Sequence, residues 1–498
     1  MLTKLEVNGF KNLRDVKVHL GPFTCISGAN GVGKSNLFDA IAFLSALVQM
    51  PLMDAALSVR GVAGGHNDIR NLFHRVGDRT TNVMQFGVEM LVPEDGEDGL
   101  GQHAKASMTF LRYDLELRYR EDAAVRSTGT LEIVSERMVH INRGSAQKHL
   151  PFPHERAWRD SVVKGRRTSP YISTENDGGQ LLVSLHADSI GGKGGGRPNR
   201  VPASTLPRTM LSTVTNAAEH RTLVLAKQEM ASWTQLHLEP SALRAPDSFT
   251  APRTIAPNGL HLPATLHALA QDAERQVAGG AAALYARVAN RLSELIENVQ
   301  ELHVDVDERR QLFSIVLADR HGTSHVASAL SDGTLRFLAL TVMEAEPRGR
   351  ALLCLEEPEN GMHPERIPAV IELLGDIAVD PSLPIDAENP LRQAIINTHS
   401  PSVVACIDEG ALLAAHEVRM RSDTGVDTYV TLRHLSKTWR AKADPSAPQI
   451  RLGELIAYLN PMVARESDRE IPRGRVGATR VADREELQLR LPLQEVGE

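Results

Sequence analysis

Gly28-Ala-Asn-Gly-Val-Gly-Lys-Ser35 is the stretch from which the rest of the chain is read. It fits the pattern G-x-x-x-x-G-K-[ST], in which glycines keep side chains out of a cradle of backbone N–H groups and a lysine reaches the outer phosphates of a nucleotide. Such a loop needs a buried strand to deliver it and a helix to leave it, because the helix N-terminus lends its partial positive charge to the cradle. Both flanks are present. Phe23 to Ser27 is a short apolar run, and Ser35 to Val48 carries apolar residues at helical spacing. The expected phosphate-binding residues are therefore Gly28, Ala29, Asn30, Gly31, Val32, Gly33, Lys34, Ser35 and Asn36. Lys34 would reach the β- and γ-phosphates, and the Ser35 hydroxyl would enter the shell of Mg²⁺.

Two later segments end buried strands in polar chemistry. Leu352-Leu-Cys-Leu-Glu-Glu-Pro-Glu-Asn-Gly-Met-His-Pro364 is an apolar run that stops at paired carboxylates, where a nucleotide hydrolase needs them. Adjacent residues on a strand face opposite sides, so Glu356 is expected at the metal and Glu357 at the attacking water. Asn397-Thr-His-Ser-Pro401 follows another apolar strand and would put His399 beside the same phosphates as a γ-phosphate sensor. Ser328 to Arg336 places a glycine-bearing turn before a helix over Thr334 to Met343. Its N-terminus, with Ser331 and the Gly333 amide, is a second anion site, and one copy already has such a helix at Ser35. A second protomer is the natural owner.

Composition bounds the alternatives. A chain of 498 residues with 42% hydrophobic and 23% charged side chains is globular and too long for one core. Its 62 acidic and 55 basic side chains give a net charge of -7, so any polyanion site is local. Cys25, Cys354 and Cys406 are too few and too far apart for a disulfide framework, and the first two lie in apolar runs that predict burial. There is no apolar stretch of spanning length and the opening is charged, so the chain is expected to be soluble and cytoplasmic, without a membrane partner.

Along the chain, Leu2 to Val7 and Val16 to Leu20 read as a hairpin, and Met108 to Arg120 and Gly129 to Ile141 as antiparallel strands. Helical spacing returns over Leu206 to Ser232 and Leu262 to Ile296, with a mobile glycine-rich loop expected at Ser189 to Ser204. His303 to Asp307 and Gln311 to Ala318 form a strand pair. The expected units are an N-terminal ATPase lobe at 1–150, a helical lid with the glycine loop at 151–300, a C-terminal ATPase lobe at 301–440, and a partly mobile extension at 441–498. After Pro401 periodicity weakens, and from Ala464 onward the chain is rich in charge.

Taken together, Leu5-Glu-Val-Asn-Gly-Phe-Lys-Asn-Leu13, the Gly28 to Asn36 loop, Leu330-Ser-Asp-Gly-Thr334, the Glu-Glu-Pro-Glu-Asn-Gly strand end and Thr398-His399 resemble the ABC-type ATPase heads of the SMC, RecF and OLD-like group. These are often AAA-type ATPases of antiphage systems. The resemblance is strongest over 1–48 and 325–402. It implies an α/β fold, an ABC/SMC-like P-loop ATPase head with N-terminal antiparallel strands and a helical insertion. It also implies ATP and Mg²⁺, and ATP closed between the loop of one subunit and Ser331, Asp332 and Gly333 of another. Lys34, Glu357 and His399 would serve hydrolysis, with Ser35 and Glu356 at the metal. Glu356 stands where many relatives carry Asp, and Asp332 where transporters carry glycine, both favouring the non-transporter branch. The glutamine that usually senses the γ-phosphate is not identifiable; Gln85 is a weak candidate.

The expected function is an ATP-dependent dimeric switch acting on DNA or on a separate effector such as a nuclease, in antiphage defence or DNA maintenance. Relatives form both dimers and larger rings. A transporter subunit is disfavoured by the long separation of Gly28 and Ser331. An OLD-like nuclease would need a metal cluster after Pro401, and only Asp305 and Asp307, earlier in the chain, have a suggestive spacing. Candidate phosphate-tracking patches are Arg156, Arg159, Lys164, Arg166 and Arg167, and the loop bearing Lys193, Arg197 and Arg200.

Overall fold

The computed structural model describes residues 1–59, 68–77, 79–121, 129–188, 199–296, 299–346, 350–422 and 425–459. Lys193, Arg197 and the charged run from Ala464 onward lie outside these residues.

Three apolar runs build the centre. Phe23–Ser27, Leu352–Glu356 and Gln393–Thr398 lie side by side as parallel strands, buried on both faces, which is why they read as continuous apolar stretches. Thr234–Leu236 extends them beyond Leu352–Glu356, and Leu412–Ser422 pairs in parallel with the other edge of Phe23–Ser27. All five parallel strands therefore end toward one rim, where ligands of open α/β sheets bind.

A second sheet is wholly antiparallel and holds eight strands, running from Asn199–Pro202 through the long pair Phe110–Glu121 and Gly129–His140 to Leu2–Asn8 and Val16–His19. The helix Lys34–Leu47 shares one apolar core with both sheets, so the phosphate loop is held from both sides. Phe10, Phe43 and Phe86 meet there with ring centroids 5.6–5.8 Å apart, tying the N-terminal turn, this helix and the antiparallel sheet together. On the other face, the helices Leu262–Gln276, Gly280–Ser293, Asp332–Ala345 and Ile367–Ile377 form a second core with the strand pair Val299–Asp307 and Leu312–Asp319.

Two readings need correction. The segment 151–300 is not simply a helical lid, because Ile172–Asp177, Gln180–Leu185 and Asn199–Pro202 extend the antiparallel sheet, and Thr234–Leu236 enters the parallel core. The stretch after Pro401 is also more ordered than its periodicity implied. Leu412–Ser422 and Gly425–His434 form a long hairpin whose outer positions are half-exposed and polar, so no clean alternation marks them. Cys25 and Cys354 are buried as expected, and burial pushes both thiols up. Among the described residues no helix is long and apolar enough to cross a membrane.

Candidate functional site

The phosphate loop bridges Phe23–Ser27 and Lys34–Leu47, with Ala29, Asn30 and Gly31 exposed at its tip. Gly33 is held at φ 109°, and a Cβ there would fall 2.2 Å from the Asn12 side chain, so both conformation and space demand glycine. Asn12 braces the loop by donating to the Val32 carbonyl at 2.9 Å and accepting from the Asn36 amide at 2.8 Å. Lys34 is buried and its Nζ donates to the carbonyls of Gly28 at 2.6 Å and Ala29 at 2.9 Å. Burial pulls its ammonium pKa down, against the opposing pull of Glu357, Glu356 and Glu359.

Ser35 and Glu356, far apart in sequence, meet at the rim: the Ser35 hydroxyl donates to Glu356 Oε2 at 2.9 Å. The other oxygen of Glu356 accepts from the Gln235 side-chain amide at 2.8 Å. Ser35, Glu356 and Gln235 thus form a compact set of oxygen-bearing side chains suited to a hard cation such as Mg²⁺ and its waters. Gln235 is the residue the sequence reading missed. Gln85 instead donates to Glu116 on the antiparallel sheet, at 2.9 Å, and joins none of the loop residues among the described hydrogen bonds.

Glu357 is set apart from Glu356 by a different device from strand alternation. The strand stops at Glu356, and Glu357 adopts φ 47° immediately before Pro358, a left-handed conformation unusual for any residue but glycine. Its N–H donates to the Asn397 carbonyl at 2.9 Å, and its carboxylate meets His399 Nδ1 at 2.6 Å and the Asn360 amide at 3.0 Å. His399 is therefore first a partner of Glu357, its Nε2 left for other contacts.

Ser331 caps the helix Asp332–Ala345 by accepting from the Thr334 N–H at 3.3 Å, and Asp332 is ion-paired with Arg244. Gly333 is buried against the loop that follows the carboxylates; a Cβ would sit 2.9 Å from the Gly361 carbonyl and 3.1 Å from Met362. Among the described residues, no hydrogen bond or ion pair joins Ser331, Asp332 or Gly333 to residues 28–36.

Other expected groups fall elsewhere. Arg167 is not available to a polyanion, because its guanidinium is buried beside Asp188, stacked 4.0 Å over Tyr171 and donating to the Pro170 and Ala187 carbonyls. Asp307 accepts from the Arg309 and Arg310 N–H groups in a turn, and the described residues hold no cluster of three or more His, Cys, Asp or Glu side chains suited to a metal.

Residues 1–74 match the model described as an AAA ATPase domain, and residues 244–405 the model described as an AAA domain, putative AbiEii toxin, Type IV TA system. No curated protein matches the chain. Among solved structures, an SMC head bound to the C-winged helix domain of ScpA is 14% identical, covering 88% of this chain and 99% of that one at a TM-score of 0.43. The SMC head domain from Thermotoga maritima is 12% identical, with 86% and 97% covered at 0.35. A head with an extended coiled coil, bound to the C-terminal domain of ScpA derived from Pyrococcus furiosus, is 12% identical, with 87% and 96% covered at 0.39. One ATPase match spans the phosphate loop, the other ends just past His399, and the fold joins them at a single rim: the chain carries two segments similar to AAA ATPase domains that meet around one site.

Proposed function

We propose that this ATPase is a dimeric switch in which ATP is closed between the phosphate loop of one copy and the Ser331–Gly333 segment of a second. One observation carries the reading. Within a copy, Lys34, Ser35, Glu356, Gln235, Glu357 and His399 converge on one rim, whereas Ser331 caps the helix that Asp332 opens and, among the described residues, neither has a hydrogen bond to the loop. The N–H groups of that helix start and the exposed Ser331 would meet the γ-phosphate of a partner, with the Asp332 carboxylate held by Arg244.

Within the site, the chain's own residues divide the work. The loop N–H groups and Lys34 bind and orient the β- and γ-phosphates. Ser35, Gln235 and Glu356 would hold Mg²⁺, which neutralises charge on the phosphoryl oxygens. Glu357, held by His399 and Asn360, orients the attacking water and accepts its proton, and the strained backbone fixes the direction of the carboxylate. His399 passes the state of the γ-phosphate to Glu357 through their shared hydrogen bond.

Closure and reopening of such a dimer would clamp DNA or control a separate effector, with antiphage defence as the setting the resemblance favours. Arg156, at 84% exposed, and Arg166 are the exposed basic side chains of this patch that would meet a nucleic acid, with Arg159 and Lys164 half-buried beside them. If DNA is the partner, binding weakens steeply with salt.

Complementation tests the shared site. Lys34→Ala disables the loop of its own copy and Ser331→Arg the segment it offers its partner. Mixed, the two inactive proteins build one intact composite site per heterodimer and recover hydrolysis. No recovery on mixing, with both proteins folded, contradicts the proposal.

A further inference from the structure

Behind the Glu357–His399 pair lies a second layer of polar groups that the mechanism above leaves unused. Glu359 is 9% exposed, and one of its carboxyl oxygens accepts from the hydroxyl of Thr398, which is fully buried. The same Thr398 oxygen accepts from the Ser400 N–H at 2.9 Å. The segments 357–359 and 397–399 are thereby closed by three successive links: Glu357 N–H to Asn397, Glu357 to His399, and Glu359 to Thr398.

The second oxygen of Glu359 is buried and has no hydrogen-bond partner among the described residues. Tyr458 belongs to the helix Leu452–Leu459, which packs on Pro401–Cys406 immediately after His399. Its buried hydroxyl meets the Gly28 backbone and lies within electrostatic reach of Cys25, Glu359 and Glu357. Burial pushes Glu359 toward its neutral form, in which it can donate as well as accept. A buried carboxyl left half-satisfied costs about 1–3 kcal/mol, so a side chain of this kind needs a reason beyond stability.

We propose that Glu359 is a positioning residue which, by holding Thr398, fixes His399 against Glu357, and that Tyr458 seats the C-terminal helix against this layer so that the helix is coupled to turnover. The inference rests on the assignment of Glu357 to the attacking water. Displacing a catalytic group by a fraction of an ångström lowers the rate without touching nucleotide affinity, which separates positioning from binding.

The test is steady-state ATP hydrolysis by the full chain, with melting temperature as a check on folding. Glu359→Leu and Thr398→Val are each expected to lower kcat about tenfold with KM for ATP within about twofold, because both break the same bond. The double variant falls no further than either single one. Glu359→Gln, which keeps a neutral acceptor and donor, restores most of the rate. Tyr458→Phe, lacking only the hydroxyl, loses about threefold in kcat. Should Glu359→Leu fail to fold, Thr398→Val carries the test by itself. Wild-type kcat in folded Thr398→Val and Glu359→Leu, additive losses in the double variant, or an effect confined to KM overturns the inference while Glu357→Gln is still inactive. Normal turnover in Glu357→Gln sinks the underlying assignment as well.

Discussion

Gln235 donates to Glu356 at 2.8 Å from a neighbouring parallel strand, in register with the residues that lead to the carboxylate. The strand is only three residues long, so its contribution to the fold is small and its side chain is the informative part. Glu356 is consequently fixed through both oxygens, by Ser35 on one side and Gln235 on the other.

Gln235→Ala is expected to lower ATP turnover about tenfold or more and to raise the Mg²⁺ concentration needed for half-maximal rate, the usual scale for loss of a group that orients a metal ligand. Gln85→Ala should leave both unchanged. A magnesium titration of hydrolysis distinguishes them.

Gly333→Ala forces a Cβ to within 2.9 Å of the Gly361 carbonyl. Backbone is on the other side of the contact, so the loop carrying Glu357 to Met362 must move, at a cost of about 1–3 kcal/mol. Thermal unfolding should register the loss, and turnover should fall with it because Glu357 sits at the start of that loop.

Arg244→Ala removes the partner of Asp332 where both side chains are substantially exposed. Solvent screens such a pair, so the monomer should lose less than about 1 kcal/mol. ATP-dependent association, by contrast, should weaken, because Asp332 is left unrestrained beside Ser331. Melting temperature and mass in the presence of ATP report the two effects separately.

Glu136 supplies a pH dependence remote from the site. It is fully buried, accepts from the Met210 N–H at 2.6 Å and the Leu211 N–H at 2.9 Å, and is touched by the Tyr113 hydroxyl; burial pushes it up to about 7. A carboxyl whose folded value lies above its unfolded one contributes stability that is complete below the unfolded value and is lost as pH rises through the folded one. Stability should therefore decline between about pH 4.5 and 7, by roughly 3 kcal/mol at most, and Glu136→Gln should flatten that decline. Denaturant unfolding at a series of pH values measures both.

The legible parts of this protein are those where chemistry imposes a residue pattern on a buried strand end. Gly28 to Ser35, Glu356, Glu357 and His399 could be placed because each follows an apolar run long enough to be a core strand. Gln235 could not, since its strand is short and half-exposed and carries no pattern; its one signal is position, in a brief Trp233 to Leu238 segment after a long helix. The turn at Glu357 was equally hidden, because a residue before proline is ordinarily extended and only tertiary bonds from Asn397 and His399 hold it otherwise. The hairpin Leu412–His434 escaped because half-exposed strands with mixed side chains lack the alternation of a strand that buries one face.

The most direct test of the shared site is the mass in solution of the full chain carrying Glu357→Gln, measured with ATP and Mg²⁺ and without them. A protein that binds ATP and cannot turn it over should double in mass when nucleotide is added, and Ser331→Arg in the same background should abolish the doubling. A single-copy mass at saturating bound ATP would contradict the account.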